Sequence, residues 1–122
     1  MSAVANALVG IVALEHLWFL VLEMFLWTRP IGLRTFRQSE EKARASAPLA
    51  ANQGLYNGFL AAGLAWGLLA SPPEFAVSIK LFFLTCVVIA GVFGARTVSR
   101  RILVVQAVPA ALALLLVLLA RG

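Results

Sequence analysis

Charged residues are scarce in this chain of 122 residues. They make up 12% of it, whereas hydrophobic residues make up 62%, and the mean hydropathy is +0.97. A soluble domain usually carries about a quarter charged residues, so this chain has too little polar surface to cover a globule in water. The composition therefore predicts an integral membrane protein, with lipid as its main solvent.

Cysteine and histidine occur once each, as Cys86 and His16. A single cysteine excludes a disulfide within the chain, and a single histidine excludes a haem held by two histidines of one chain. The HxxxH, CxxC and Gly-x-Ser-x-Gly patterns are absent, as is a phosphate-binding loop. A metal site built on His16 and a glutamate would lack further strong ligands. The sequence therefore predicts no metal and no cofactor.

The hydrophobic residues form four long runs, each about the 20 residues that a helix needs to cross a bilayer. The first run lacks the basic region and the small-residue cleavage site of a signal peptide, so we expect it to stay as a span. The runs show none of the period-2 alternation of a membrane β-barrel. We therefore predict an all-α, integral membrane four-helix bundle that forms a single domain, residues 1–122. The predicted spans cover about residues 4–27, 48–70, 75–95 and 102–120.

Prolines mark helix ends in this sequence. Ser46 followed by Pro48 predicts the start of the second span, with the serine as N-cap and the proline in the first turn. The tandem prolines of residues 71–74 predict its end, because proline cannot continue a helix. Pro109 predicts a kink near the middle of the fourth span.

The basic residues predict the orientation of the spans. Eight of the ten lie in two linkers, residues 28–47 and 96–101. By the positive-inside rule both linkers are cytoplasmic, and both termini lie on the other side of the inner membrane. The net charge of +5 is thus a signal of topology, and no nucleic-acid partner is predicted. The first linker also predicts a short interfacial helix, with Ile31, Leu33 and Phe36 toward lipid.

Ionisable residues inside the first span are candidate functional residues, because charges at bilayer depth are costly unless they are paired or lie in a wet cavity. The span contains Glu15, His16 and Glu23. His16 and Glu23 are two helical turns apart and lie on nearly the same face, whereas Glu15 is about 80° away from Glu23. We predict that His16 and Glu23 form a proton-transfer pair and that Glu15 contributes to ligand binding.

Polar residues also open the second span, in the stretch LAANQGLYNG of residues 49–58. Counting rise along the helices, about 1.5 Å per residue, predicts two polar layers that open toward the cytoplasm. Glu23 forms the first layer with Asn52, Gln53 and Gln106. His16 forms the second with Tyr56, Asn57 and Thr85. Carboxamides carry both donors and acceptors, so they suit the binding of a ligand without added charge.

A structural role is the alternative for most of these residues. Asn, Gln and Thr also join helices in membrane bundles, and glycines four apart allow close helix packing. The second span contains two such pairs, Gly54 with Gly58 and Gly63 with Gly67. Lys80 is expected near the outer boundary, where it extends to the interface or reaches Glu15.

The stretches HLWFLVLEMFLW, residues 16–27, and LAANQGLYNGFLAAGLAWG, residues 49–67, carry a resemblance to a known family. With GVFGA at residues 91–95 and QAVPAALAL at residues 106–114, the chain resembles the domain of unknown function 1304 family of small integral membrane proteins. The resemblance covers nearly the whole chain and implies four spans with polar motifs in the first two. It implies no activity and no catalytic residue.

Three functions stay open at this point. The first is a polar pocket that binds or converts a small, mostly apolar or amphipathic molecule. The second is proton-coupled transport, for which the size and the intramembrane Glu15 are similar to those of small multidrug resistance transporters, although their motifs are not matched. The third is a structural or accessory protein with no chemistry. Membrane lipid is the expected partner in each case, and whether the chain is an enzyme or a homo-oligomer is left open.

Overall fold

The computed structural model of the chain describes residues 2–97 and 99–121. Within this part the regular structure is helical, and no strand occurs. The all-α prediction is therefore confirmed for these residues. The helices are α1 (Ser2–Met24), α2 (Pro30–Phe36), α3 (Glu40–Leu69), α4 (Pro73–Thr97), α5 (Arg100–Ile102), a π-helical segment (Leu103–Ala107) and α6 (Val108–Arg121).

Three of the described helical stretches are long and apolar enough to cross a membrane, which gives the chain the character of a membrane protein. They are Ser2–Met24, Pro73–Thr97 and Val104–Arg121. The second predicted span, residues 48–70, corresponds to α3 except for its last residue, because α3 ends at Leu69. This helix is less apolar than the other three because carboxamides occupy positions 52, 53 and 57 and charged residues fill its first turns.

The start of α3 differs from the sequence prediction. The helix begins at Glu40, so the prediction of an N-cap at Ser46 is wrong. Ser39 is the N-cap instead, because its Oγ accepts a hydrogen bond from the backbone N–H of Lys42 at 3.1 Å. Acidic residues in the first turn favour this start through the helix dipole. Pro48 lies inside the helix on an exposed face, where it removes one backbone hydrogen bond.

The other helix ends follow the prolines. The tandem prolines were predicted to end the second span. This prediction is confirmed, because α3 ends at Leu69 and α4 begins at Pro73. The π-helical segment Leu103–Ala107 ends two residues before Pro109. Proline cannot donate a hydrogen bond to the carbonyl four residues earlier, which disturbs the α-helical pattern at this point. The short helix predicted in the first linker is present as α2.

By its internal contacts the chain divides into two compact units. The large unit comprises Met1–Ala13 and Leu60–Gly122, and the small unit comprises Leu14–Phe59. The large unit has an apolar core from the start of α1, the end of α3, α4 and α6. Its most buried side chains are Val9, Val12, Leu64, Leu84, Val87, Ala110, Ala113 and Val117. In this unit α4 approaches the π-helical segment closely, since a Cβ on Gly91 would lie 2.7 Å from the Cβ of Ala107.

The small unit contains the end of α1, all of α2 and the first two thirds of α3. Leu20 lies against Gly58 and Met24 against Gly54, while Trp27 is hydrogen-bonded to Ser46. As the residue number rises from Leu20 to Trp27, the number of the α3 residue in contact falls from Gly58 to Ser46. The two helices are therefore antiparallel within this unit.

Candidate functional site

The corner between α1 and α2 fixes the end of the helix that carries the candidate residues. Gly32 of α2 is buried against this corner, and a Cβ there would lie 2.0 Å from the carbonyl oxygen of Leu26. The Trp27 ring packs on Phe36 with centroids 4.7 Å apart. Its Nε1 donates to Oγ of Ser46 at 3.1 Å. The corner that follows α1 is thereby tied to α3.

Two glycines of α3 allow α1 to approach closely. A Cβ on Gly54 would lie 2.7 Å from Cγ of Met24 and 3.1 Å from Cβ of Glu23. A Cβ on Gly58, one turn further along α3, would lie 2.6 Å from Cδ1 of Leu20. Gly54 and Gly58, which are four residues apart and were predicted to allow close helix packing, therefore lie where the Glu23 side chain meets α3.

Glu23 is bonded to α3 at this approach. Its side chain is mostly buried, with 9% of the residue exposed. The amide Nδ2 of Asn57 donates to Oε1 of Glu23 at 2.5 Å. Asn57 follows Gly54 by three residues, so both lie on the face of α3 that meets α1. A carboxyl group held by a neutral amide can take up or release a proton without a fixed counter-charge.

His16 is completely buried, at 0% exposure, on the same helix. Its ring meets the ring of Phe19 edge to face, with centroids 5.2 Å apart. Seven residues separate it from Glu23, which corresponds to about 10 Å of rise along α1. The two ionisable groups therefore occupy different levels of one helix face.

Glu15 lies next to His16 on α1 and is partly buried. Its Oε1 is shielded from solvent and has no hydrogen-bond partner. Buried carboxylate oxygens are usually satisfied. This atom is thus a free acceptor within the apolar helix.

The other polar residues of LAANQGLYNG lie on the outer faces of α3. Asn52 and Gln53 are exposed, and 55% of Tyr56 is exposed, with its ring 5.9 Å from that of Phe59. The structure therefore brings Asn57 to Glu23 and leaves these three side chains outside that contact. Their predicted role in ligand binding stays a prediction.

Gln106 and Thr85 belong to the large unit. Gln106 lies in the π-helical segment and is partly buried. Thr85 is exposed, and its hydroxyl donates to the carbonyl of Leu81 at 2.7 Å within α4. Their assignment to the polar layers likewise stays a prediction.

One buried polar contact has no counterpart in the sequence prediction. Nζ of Lys80, on α4, donates to Oδ1 of Asn6, on α1, at 2.8 Å. Lys80 was expected at the boundary, and Asn6 was not singled out. A polar Asn in the apolar first half of α1 is the signal that points to such a partner.

Metal binding finds no support in the described part of the chain. No group of three or more His, Cys, Asp or Glu side chains there is close enough to hold an ion. The candidate site consists of the Glu23 carboxyl group, the Asn57 amide bonded to it and the His16 imidazole further along the same helix. Amides form hydrogen bonds as donors and acceptors, and carboxyl and imidazole groups are the side chains that commonly exchange protons in proteins.

Comparisons with known proteins identify the family. The family described as "Protein of unknown function (DUF1304)" matches residues 10–118, and the chain belongs to it. The "Uncharacterized protein YpaA" of Lactococcus lactis subsp. lactis (strain IL1403) is 29% identical over 107 residues, which cover 86% of this chain and 88% of that protein. No solved structure matches the chain. Neither description names an activity, so the function has to be argued from the residues themselves.

Proposed function

We propose that the chain is a multi-pass protein of the inner membrane whose small unit binds a small, mostly apolar molecule through His16 and Glu23. The observation that carries the proposal is the burial of both side chains in an apolar, span-length helix, at 0% and 9% exposure. The hydrogen bond from the Asn57 amide to Glu23 supplies no compensating charge. Ionisable groups placed in this way are by default functional in membrane proteins.

Four spans follow from the charge distribution once α1 and α4 cross the membrane. Each of these helices runs toward a linker rich in arginine, residues 28–47 and 96–101. If both linkers are cytoplasmic, α1 and α4 cross in the same direction, so α3 must carry the chain back between them. With 30 residues, α3 is about 45 Å long and exceeds the hydrocarbon thickness of about 30 Å.

A structural role alone explains the pair poorly. Replacing buried ionisable groups by apolar residues often leaves stability unchanged or increases it. Gly54 and Gly58 already give α1 and α3 a close apolar contact. Helix association therefore does not require a carboxyl group at position 23 or an imidazole at position 16.

The separation of the two groups restricts the chemistry. About 10 Å of rise is too long for a direct proton transfer, which needs heavy atoms about 2.6–3.2 Å apart or one bridging water. The ligand must therefore span the two levels, with one polar atom at the imidazole and another at Oε2 of Glu23, the oxygen that Asn57 leaves open. Conversion of the ligand would then consist of proton donation at one end and proton removal at the other.

Ligand retention tests this function. The wild-type chain and the variants His16→Ala and Glu23→Gln are purified in detergent, incubated with a membrane lipid extract, and analysed for bound small molecules by mass spectrometry. Glu41→Gln is the matched control, because Glu41 is an exposed carboxylate of α3. We expect a bound molecule in the wild type and the control that both site variants lose. The same molecules on all four proteins would refute the proposal and favour a structural protein.

Proton-coupled transport is the second candidate, and one observation favours it. Oε1 of Glu15 is buried and unpartnered in α1, so it is available as a proton acceptor on a transport path. The test is uptake of tetraphenylphosphonium, a lipophilic cation, into proteoliposomes under an imposed pH gradient. Transport predicts uptake that follows the gradient and is lost in Glu15→Gln. Uptake that ignores the gradient counts against transport.

Cysteine labelling tests the topology separately from the function. In a Cys86→Ala background, single cysteines are placed at Arg37, Ser71 and Arg100, which are all exposed. A membrane-impermeant maleimide should reach Arg37→Cys and Arg100→Cys from the cytoplasmic side, and Ser71→Cys from the other side. Labelling of all three from one side would show that α3 does not cross the membrane.

A further inference from the structure

A cavity lies at one end of the large unit, apart from His16 and Glu23. It has a volume of about 460 Å³ and is bounded by the first turns of α1 and α4 and the last turns of α6. Ligand pockets commonly measure about 300–1,000 Å³. The polar side chains among its lining residues are Ser2, Asn6, Glu74, Ser78, Lys80 and Arg121.

Lys80 is the buried charge of this cavity. It is 9% exposed, and among the described residues its ammonium donates one hydrogen bond, to Oδ1 of Asn6 at 2.8 Å. An ammonium group has three donors, so two remain for a ligand. The ion pair between Arg44 and Glu40 lies at the start of α3 and does not involve Lys80. The Lys80 ammonium has no carboxylate within ion-pair distance in the described part of the chain.

The packing around Lys80 holds it in place. A Cβ on Gly67 of α3 would lie 2.6 Å from Cγ of Lys80 and 3.2 Å from its backbone nitrogen. The aliphatic stem is thus pressed against α3, which lacks a side chain at this point. The ammonium is directed to Asn6 rather than extended freely to the interface.

The charges of the lining favour an anion with a single negative charge. Lys80 and Arg121 contribute two positive charges and Glu74 one negative charge, which leaves a net charge of +1. The N-termini of α1 and α4 add two positive helix-dipole ends at the same cavity and the C-terminus of α6 adds a negative one, so one positive end is in excess. Val77 and Val117 supply apolar lining suited to the carbon atoms that carry such an anion.

We propose that this cavity binds the phosphodiester of an anionic membrane phospholipid, a lipid whose headgroup has no cation to balance the phosphate, with the Lys80 ammonium as its main donor. The cavity lies where three apolar helices begin or end, which is the level of lipid headgroups for helices that cross a bilayer. A phosphodiester offers the acceptor oxygens that an ammonium and a guanidinium bind well. The proposal is independent of the role of His16 and Glu23.

Native mass spectrometry of the full chain tests this site. The protein is purified in detergent and exposed to equal amounts of phosphatidylglycerol, which is anionic, and phosphatidylcholine, which has no net charge. We expect phosphatidylglycerol to be retained preferentially and Lys80→Met to weaken that retention about tenfold, the effect of losing one hydrogen bond to a charged group. Lys42→Met is the matched control, because Lys42 is the other lysine and is exposed.

Two further arms complete the experiment. Ala120→Phe fills the cavity from α6 and leaves Lys80 in place, so it should abolish retention without loss of the charge. Inorganic phosphate in excess should not displace the lipid, because it lacks the apolar part. Equal retention by Lys80→Met and Lys42→Met, or unchanged retention by Ala120→Phe, would overturn the proposal. Displacement by phosphate would overturn the assignment to a lipid.

Discussion

Replacement of Gly54 by alanine is the most direct test of the contact that holds Glu23. The new Cβ would lie 2.7 Å from Cγ of Met24, 3.1 Å from Cβ of Glu23 and 3.3 Å from the carbonyl oxygen of Leu20. Carbon atoms in ordinary contact are about 3.5–4.0 Å apart. The Met24 side chain can rotate away, whereas the Leu20 carbonyl is fixed by the helix. α1 and α3 therefore have to separate by a few tenths of an ångström.

Two opposing terms set the magnitude of this change. Replacing a helical glycine by alanine stabilises a protein by about 0.4–1 kcal/mol where the backbone conformation permits it. Overpacking a tight contact destabilises by about 1–3 kcal/mol. The overpacking term is larger, so the Gly54→Ala chain should be less stable than the wild type by about 1–2 kcal/mol. The hydrogen bond from Asn57 to Glu23 should lengthen as the helices separate.

The assay is unfolding of the purified chain in detergent, followed by circular dichroism. Gly10→Ala is the matched control, because nothing lies within 4 Å of a Cβ at position 10 of α1. That variant should show the stabilising term alone, with a higher midpoint of unfolding than the wild type. The two glycine variants should thus shift the midpoint in opposite directions. An equal rise in both would refute the close contact between Gly54 and the Glu23 turn.

Three further substitutions test neighbouring contacts by the same unfolding assay. Asn57→Leu should destabilise the chain by about 1–2 kcal/mol because it leaves a buried carboxyl group without its donor. Asn52→Leu is the control and should have little effect because Asn52 is exposed. Equal effects of the two substitutions would contradict the hydrogen bond from Asn57 to Glu23. Gly32→Ala should prevent recovery of folded protein, since its Cβ would meet backbone atoms at 2.0–2.9 Å; a stable variant would show that the corner is more open. Trp27→Phe should cost about 0.5–1.5 kcal/mol through the lost indole hydrogen bond, and an unchanged midpoint would argue against that bond.

The sequence predicted helix type and several helix ends well, because these depend on local properties. Long apolar runs and tandem prolines act through backbone geometry and hydration alone. The start of α3 was missed because Pro48 suggested a first turn, while the stronger signal was Ser39 followed by two acidic residues. Proline at an exposed position inside a long helix removes one hydrogen bond without ending the helix.

The direction of side chains around α3 was harder to predict than their depth. Rise along the helix places Asn52 and Gln53 at the level of Glu23, yet Asn57 is the residue that contacts it. The depth of a residue along a helix follows from its number. The rotation of the helix about its axis can be predicted only when one face differs from the others in polarity. A helix that is apolar on most sides lacks the polar and apolar faces that reveal rotation in soluble proteins.

The long-range partner of Lys80 could not be deduced from local sequence. Asn6 and Lys80 are on different helices, and their contact depends on how α1 packs beside α4 within the large unit. In a chain with so few charges, the periodicity of polar and apolar residues does not predict which helix faces pack together. A single Asn near the start of an apolar helix gives at most the expectation of some polar partner.

The glycines of α3 supply the rotational information that polarity does not. Gly54 makes room for the Glu23 stem in the small unit, and Gly67 makes room for the Lys80 stem in the large unit. An ionisable side chain that is buried between helices needs space for its aliphatic part before its polar atom can reach a partner. Close packing and site formation are therefore not alternative explanations for these glycines. In this chain the glycines that allow helices to approach also mark where the Glu23 and Lys80 side chains enter the helix interfaces.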